Sequence, residues 1–170
     1  MRGRGHFVNV FRFAGNYRKE AARTLLSALL FALPLPAMAV LGDNASSVLT
    51  DMAHMKGTLR SVDNGTYAIH EITSNTGTVV REFVSPAGVV FGVAWEGQFP
   101  PDLQQLLGPY YQQAKQATAA AAQQQHQRRG PVAIETPGLV MYEAGHMRSF
   151  HGEAYVPQLV PQGVQASEIH

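Results

Sequence analysis

The residues best suited to chemistry are concentrated in one polar segment between positions 142 and 153. Four of its side chains could bind a metal or a polar ligand: Glu143, His146, Arg148 and His151. If the segment is a strand, His146 and Arg148 share a face with Phe150. The two histidines with Glu143 or Glu153 could hold a divalent metal through nitrogen and oxygen ligands, but histidines five residues apart match no compact metal-binding motif. We therefore interpret the segment as an exposed polar hairpin, with a weak histidine-based metal site as the alternative.

Hydrolytic catalysis has weaker support. A serine hydrolase triad often carries its nucleophile in a Gly-x-Ser-x-Gly motif, and no such motif follows residue 39. Glycoside cleavage needs two carboxyl groups, for which the candidates are Glu71, Glu82 and Glu96. Charged residues on the solvent face of a sheet explain these glutamates more simply. The sequence therefore does not predict an enzyme.

Four aromatic residues lie where a predicted sheet gives way to predicted helices: Trp95, Phe99, Tyr110 and Tyr111. Aromatic side chains at such a junction can line a groove for a peptide or a glycan. They also commonly form the hydrophobic corner that fixes a helix to a sheet. We favour the hydrophobic corner and keep the aromatic groove as a candidate site.

The elements that must position these residues begin with an antiparallel meander. Three turn sequences recur at a spacing of 11 or 12 residues, and each ends in a glycine that can close a hairpin: Asp63-Asn64-Gly65, Asn75-Thr76-Gly77 and Pro86-Ala87-Gly88. Segments rich in β-branched and aromatic residues flank these turns. They predict four strands: Gly57–Val62, Tyr67–Thr73, Thr78–Val84 and Val89–Trp95.

The fourth predicted strand is apolar on both faces. Its alternating pattern places Phe91, Val93 and Trp95 on one face and the small residues Gly92 and Ala94 on the other. A strand of this kind is expected at the centre of a sheet, or under a segment that approaches its small face closely.

Helices and further strands complete the prediction. We expect helices over Asn44–Met55, from Pro101-Asp102 to a break at Gly108-Pro109, and over the alanine- and glutamine-rich Tyr110–Gln127. Four further strands are predicted at Val132–Glu135, Leu139–Tyr142, His146–Phe150 and Glu153–Val156, separated by turns at Pro137-Gly138, Ala144-Gly145 and His151-Gly152. An extended tail is expected from about Pro157. The predicted fold class is α+β, an antiparallel meander of about four strands with helices and additional C-terminal strands.

The N-terminal region has the pattern of an export signal. The apolar segment Thr24–Ala39 is too short to span a bilayer and ends in Ala37-Met38-Ala39, a triplet whose first and third side chains are small. We expect residues 1–39 to be a signal peptide, cleaved between Ala39 and Val40, and residues 40–170 to be a single exported domain. An uncleaved signal anchor is the alternative.

The charge of the mature chain argues against a nucleic-acid partner. The chain has 13 Lys and Arg and 12 Asp and Glu, of which six basic residues and Glu20 precede the predicted cleavage site. The mature chain therefore keeps 7 basic and 11 acidic residues, a net charge near −4 with neutral histidines. The chain also has no cysteine, which excludes disulfides, thiolate metal sites and a thiol nucleophile.

Several segments of the mature chain resemble one known family. These segments are MKGTL (Met55–Leu59), HEI (His70–Ile72), TGTVVREFVSPAG (Thr76–Gly88), VAWEG (Val93–Gly97), PDLQQLLG (Pro101–Gly108), GHMRSF (Gly145–Phe150) and AYVPQLVPQGV (Ala154–Val164). The chain resembles the proteobacterial family catalogued as domain of unknown function 2844, over nearly the whole mature length. The resemblance implies an exported Gram-negative protein and carries over no catalytic or binding residue.

We expect a non-enzymatic protein of the periplasm or the extracellular space, with a protein partner in the cell envelope and no cofactor. The sequence gives no reason to expect a nucleic acid, or a membrane after signal cleavage, as a partner. The alternatives are a hydrolase of envelope polymers, acting through glutamate or histidine side chains, and a weak metal-binding protein.

Overall fold

One antiparallel sheet of seven strands organises the chain. The computed structural model describes residues 41–124 and 130–170. The strands are β1 (Thr58–Asp63), β2 (Ala68–Thr73), β3 (Val79–Val84), β4 (Val90–Gly97), β5 (Val132–Thr136), β6 (Leu139–His146) and β7 (Ser149–Tyr155). They lie side by side in the order β1-β2-β3-β4-β7-β6-β5. The predicted α+β class with an antiparallel sheet is confirmed, but the meander and the C-terminal strands form one sheet of seven strands.

The predicted meander corresponds to β1 to β4. Gly65, Gly77 and Gly88 have φ angles of 85°, 83° and 77°, the left-handed conformation for which a glycine is expected at the end of each turn. The strand ends fall within one or two residues of the prediction. β4 occupies the centre of the sheet, as its two apolar faces indicate.

A β-bulge changes the predicted faces of β4. Between Phe83 and Val84 the register with β4 shifts by one residue, because Phe83 pairs with Gly92 whereas Val84 pairs with Val90. Phe91 therefore packs on the same face as Phe83, away from Val93. The strict alternation assumed from the sequence fails at this bulge.

The C-terminal half has three strands where four were predicted. Gly145 lies inside β6 and Gly152 inside β7, and the turn between the two strands is at Met147-Arg148. A methyl group on Gly145 would lie 2.6 Å from the Phe150 ring, and one on Gly152 would collide with the Trp95 indole. These glycines therefore provide space for aromatic packing rather than turns.

In the part of the chain that the structure describes, three α-helices cover one face of the sheet: α1 (Val48–His54), α2 (Leu103–Leu107) and α3 (Tyr111–Gln124). The Asp102 side chain caps α2 by accepting hydrogen bonds from the backbone N–H groups of Gln104 and Gln105. The first turn of α3 follows a short 3-10 turn at Gly108–Tyr110, which agrees with the predicted break. The predicted end of this helix at Gln127 lies outside the described residues.

The principal core lies between these helices and the sheet. Leu106, Leu107 and Ala114 from the helices pack on Val93 and Trp95 of β4. Ala114 is almost fully buried, so the alanine-rich helix α3 approaches the sheet closely. Within the described residues, no helix is long and apolar enough to cross a membrane.

The C-terminal segment, residues 157–170, packs across part of the opposite face. It contains two 3-10 turns, Pro157–Leu159 and Ala166–Glu168, where an extended tail was expected. Ile169 is 1% exposed, and a methyl group built on Gly92 would lie 3.1 Å from its side chain. The close approach expected over the small face of β4 is therefore made by this segment.

Candidate functional site

On the face opposite the helices, the part that the C-terminal segment leaves free forms a groove of about 840 Å³. We call it the open-face groove. Its lining comes from five neighbouring strands, with Ser167 and Glu168 of the C-terminal segment on one side. Its principal polar and aromatic residues are Tyr67, Arg81, Glu96, Tyr142, His151 and Glu153.

Strand register explains why residues distant in sequence meet in the open-face groove. Tyr142 pairs with Glu153, Glu153 with Ala94, Ala94 with Arg81, and Arg81 with Glu71. Because directly paired residues point to the same face of a sheet, these five side chains form one row across β6, β7, β4, β3 and β2. Ala94, in the middle of the row, is itself buried.

Arg81 is held in place by two carboxylates. Its Nε donates to Glu71 Oε2 at 3.1 Å, and its Nη2 lies 3.4 Å from Glu96 Oε1. Glu71 lies directly across from Arg81 on β2. Glu96 lies on β4, two residues beyond Ala94, which is the residue that pairs with Arg81. The two carboxylates restrict the rotamers of the guanidinium, and the closer Glu71 pair restricts them more.

Aromatic rings support the side of the groove near the C-terminal segment. The ring centroids of Tyr67, Phe83 and Phe91 are 5.8 to 6.2 Å apart. The Tyr67 hydroxyl donates to Glu168 Oε2 at 3.1 Å. This bond connects the C-terminal segment to the sheet, and the segment thus forms a wall of the groove.

The polar cluster predicted from the sequence is divided by the sheet. His146 and Arg148 are exposed at the tip of the β6–β7 hairpin. Glu143 pairs with Gly152 and faces the helix side, where burial raises the pKa of its carboxyl. His151 pairs with Ala144 and faces the open-face groove, with its ring centroid 6.1 Å from that of Tyr142. Of the four predicted residues, His151 alone lines this groove.

The four aromatic residues proposed as a groove do not lie together in one. Trp95 is buried in the principal core, and Tyr110 and Tyr111 pack partly buried against it. Phe99 is 52% exposed, and its backbone carbonyl accepts a hydrogen bond from the Thr78 hydroxyl. Trp95 and the two tyrosines thus occupy the hydrophobic corner that the sequence analysis favoured.

The three candidate carboxylates also separate. Glu71 and Glu96 lie on the open face with Arg81, whereas Glu82 points into the helix-covered core and is 1% exposed. There it adjoins Asp51 of α1, which accepts a hydrogen bond from the Gln105 amide of α2. Glu82 therefore joins a buried polar cluster that links the sheet to two helices.

This buried cluster has strongly perturbed acidity. Burial, together with a smaller contribution from the adjacent Asp51 carboxyl, raises the pKa of Glu82 to about 9. Burial also raises the pKa of Asp51. Two carboxyl groups in contact inside an apolar core are stable when they share a proton. The pair is sealed beneath α1 and α2, so it does not face the open-face groove.

Sequence reasoning missed most of the residues that line the open-face groove. Tyr142 and Glu153 lie at the two ends of the polar segment that the sequence analysis singled out, but no local motif connects them with Tyr67 and Arg81 on other strands or strand ends. Only the strand register shows that these groove residues meet.

For Asp51 the sequence gives a weak indication of burial, since it lies three residues after the buried Val48 on the inner side of α1.

Metal binding has little geometric support in the described parts of the chain. No group of three or more histidine, aspartate or glutamate side chains within residues 41–124 and 130–170 is arranged to hold a metal ion. The two histidines of the predicted cluster lie apart, one at the hairpin tip and the other beside the groove.

Comparison with known proteins gives a family and no relative of established activity. No curated protein and no solved structure matches the chain. One family model matches residues 37–169, almost the whole region that the sequence analysis assigns to the mature protein. The chain therefore belongs to the family described as "Protein of unknown function (DUF2844)".

Proposed function

We propose that this protein is an exported, non-enzymatic binding protein that receives a protein partner of the cell envelope in the open-face groove. The observation that carries the proposal is the groove itself: about 840 Å³, on a seven-stranded sheet, lined by aromatic and charged side chains. Recognition sites commonly combine a preformed concave surface with a few fixed polar groups. Arg81, fixed by Glu71 and Glu96, is such a group.

The arrangement of acidic groups favours binding over hydrolysis. The carboxyl whose pKa is raised to about 9, Glu82, is the kind of group that serves as a general acid, but it is buried on the other side of the sheet. The two candidate carboxylates on the open face, Glu71 and Glu96, are engaged by Arg81. Neither of these two is therefore free to act as a general acid or base on a polymer in the groove.

Export is proposed from the N-terminal sequence. The apolar segment Thr24–Ala39, with its basic flank and its Ala37-Met38-Ala39 triplet, supports a cleaved signal and a location in the periplasm or outside the cell. Both the segment and the cleavage position between Ala39 and Val40 lie outside the described residues.

Site-specific photo-crosslinking in the native cells tests the groove. Benzoylphenylalanine is introduced into the full chain at His151, which is exposed in the groove, or at Gln116, which is exposed on α3. We expect irradiation to give a discrete adduct from position 151 and none of the same mass from position 116. Equal adducts from both positions, or none from position 151, would contradict the proposal.

A further inference from the structure

The open-face groove carries an excess of negative charge. Three carboxylates line it, those of Glu96, Glu153 and Glu168, against one guanidinium, that of Arg81. Arg81 is already paired with Glu71 and Glu96, so its charge is compensated. With neutral histidines, the described lining has a net charge near −2. A surface of this kind favours a cationic partner and repels an acidic one.

Glu153 is the carboxylate best placed to meet such a cation. It lies at the centre of the row, between Tyr142 on β6 and Ala94 on β4. No cation of residues 41–124 or 130–170 forms an ion pair with it. Its side chain is partly exposed and lines the groove, so a ligand group can reach the carboxylate from above the sheet.

Tyr142 is the second residue that can contact a cation bound at Glu153. Its side chain is 38% exposed, and its ring lies beside His151, with the centroids 6.1 Å apart. The face of a tyrosine ring attracts ammonium and guanidinium groups, and the attraction adds to that of a neighbouring carboxylate. Glu153 and Tyr142, directly paired across β7 and β6, can therefore hold one basic side chain together.

We propose that the open-face groove binds an extended polypeptide segment of a partner, with an arginine or lysine side chain seated on Glu153 and Tyr142. The inference rests on the proposed function and specifies its ligand. The lining spans β2 to β6, four strand spacings or about 19 Å. About six residues of extended chain cover that distance, at about 3.3 Å per residue. A neutral glycan would stack on the rings without using the carboxylates, so a selection that returns no basic peptide would leave it as the alternative occupant.

Selection from a library of random hexapeptides displayed on phage, with the full-length chain as bait, tests the ligand class without assuming a sequence. The selected peptides should be enriched in arginine and lysine over the starting library, and this enrichment should disappear with Glu153→Gln bait. Selected peptides without enrichment in arginine or lysine, or no selected peptide at all, would overturn the proposed binding of a basic side chain by Glu153 and Tyr142. The crosslink at position 151 would then still decide whether the groove binds a partner.

Fluorescence anisotropy with one selected, labelled peptide gives the quantitative test. Glu153→Gln keeps the size of the side chain and should weaken binding at least tenfold, and Tyr142→Leu should weaken it several-fold. The control is Glu135→Gln, which removes an exposed carboxylate of β5 outside the groove and should leave the affinity unchanged. Equal affinities of the wild type and Glu153→Gln would refute the proposal, as would equal losses from Glu153→Gln and Glu135→Gln.

Discussion

At the residue scale, the carboxyl groups of the sheet lie in two different environments. Those on the open face are ion-paired or available to a ligand, as Glu71 and Glu153 illustrate. Glu82, on the other face, is buried against Asp51 and holds its proton to about pH 9. Glu82 lies one residue from Arg81 in sequence, and the alternation of side chains along β3 separates the two environments.

The Glu82–Asp51 contact should make stability depend on pH. The folded protein keeps a proton on Glu82 up to about pH 9, whereas an unfolded chain releases it near 4.5. Raising the pH across this interval therefore favours the unfolded state, by up to about 1.4 kcal/mol per pH unit for one proton. The contribution is fully present below about pH 4.5 and is lost as the pH rises through the folded value.

Glu82→Gln should flatten this dependence, because an amide stays neutral and can still donate to Asp51. Urea unfolding midpoints measured at several pH values from 5 to 9 should fall less steeply for the variant than for the wild type. The exposed Glu135→Gln is the control and should keep the wild-type slope. Parallel curves for the wild type and Glu82→Gln would show that the buried pair does not bind the proton.

At the element scale, local signals predicted the first half of the sheet well and the second half less well. The turns ending in Gly65, Gly77 and Gly88 have the conformation expected of them, because the residues of a tight turn determine its conformation locally. Gly145 and Gly152 misled the prediction because their role is long-range packing against Phe150 and Trp95. The open-face groove was missed for the same reason, since it depends on pairing between β4 and β7.

The β6–β7 hairpin illustrates a turn without a sequence signal. Met147 and Arg148 have φ angles of 38° and 70°, so both central residues of the turn are left-handed without being glycine. Such a conformation costs about 1–2 kcal/mol per residue relative to a residue that tolerates it. Strand pairing on both sides of the turn holds these residues in that conformation.

Replacing the two residues with asparagine and glycine should stabilise the hairpin. Met147→Asn with Arg148→Gly matches the preferred sequence of this turn and should raise the free energy of unfolding by about 1 kcal/mol, after the greater freedom of glycine in the unfolded chain is subtracted. Urea unfolding measures the change. The double variant Met147→Ala with Arg148→Ala keeps the strained backbone and should show no such gain; an equal gain would assign the effect to the loss of the original side chains.

At the scale of the whole molecule, the sequence divides into a basic N-terminal region and an acidic remainder. Six of the 13 basic residues precede Thr24, and 11 of the 12 acidic residues follow Ala39. Cleavage after Ala39 would therefore change the net charge from +1 to about −4. An acidic mature protein is consistent with the cationic partner proposed for the open-face groove.

Intact mass spectrometry of the protein from its native cells tests the cleavage. We expect a chain that begins at Val40. A bulky side chain at the third position of the triplet should block the peptidase, so Ala39→Leu should leave the uncleaved chain. Met38→Leu changes the middle position and should be processed normally. A wild-type mass that includes residues 1–39 would favour the signal anchor instead.

The position of β7 in the sheet has a consequence for folding. β1 to β4 can pair in sequence as neighbours, but the second edge of β4 is covered only by β7, more than fifty residues later. Until residues 149–155 arrive, the most apolar strand of the sheet is an unpaired edge, the type of surface from which aggregation begins. Pairing of this edge is therefore a non-local step, and any chain shortened before Ser149 would leave the edge unpaired.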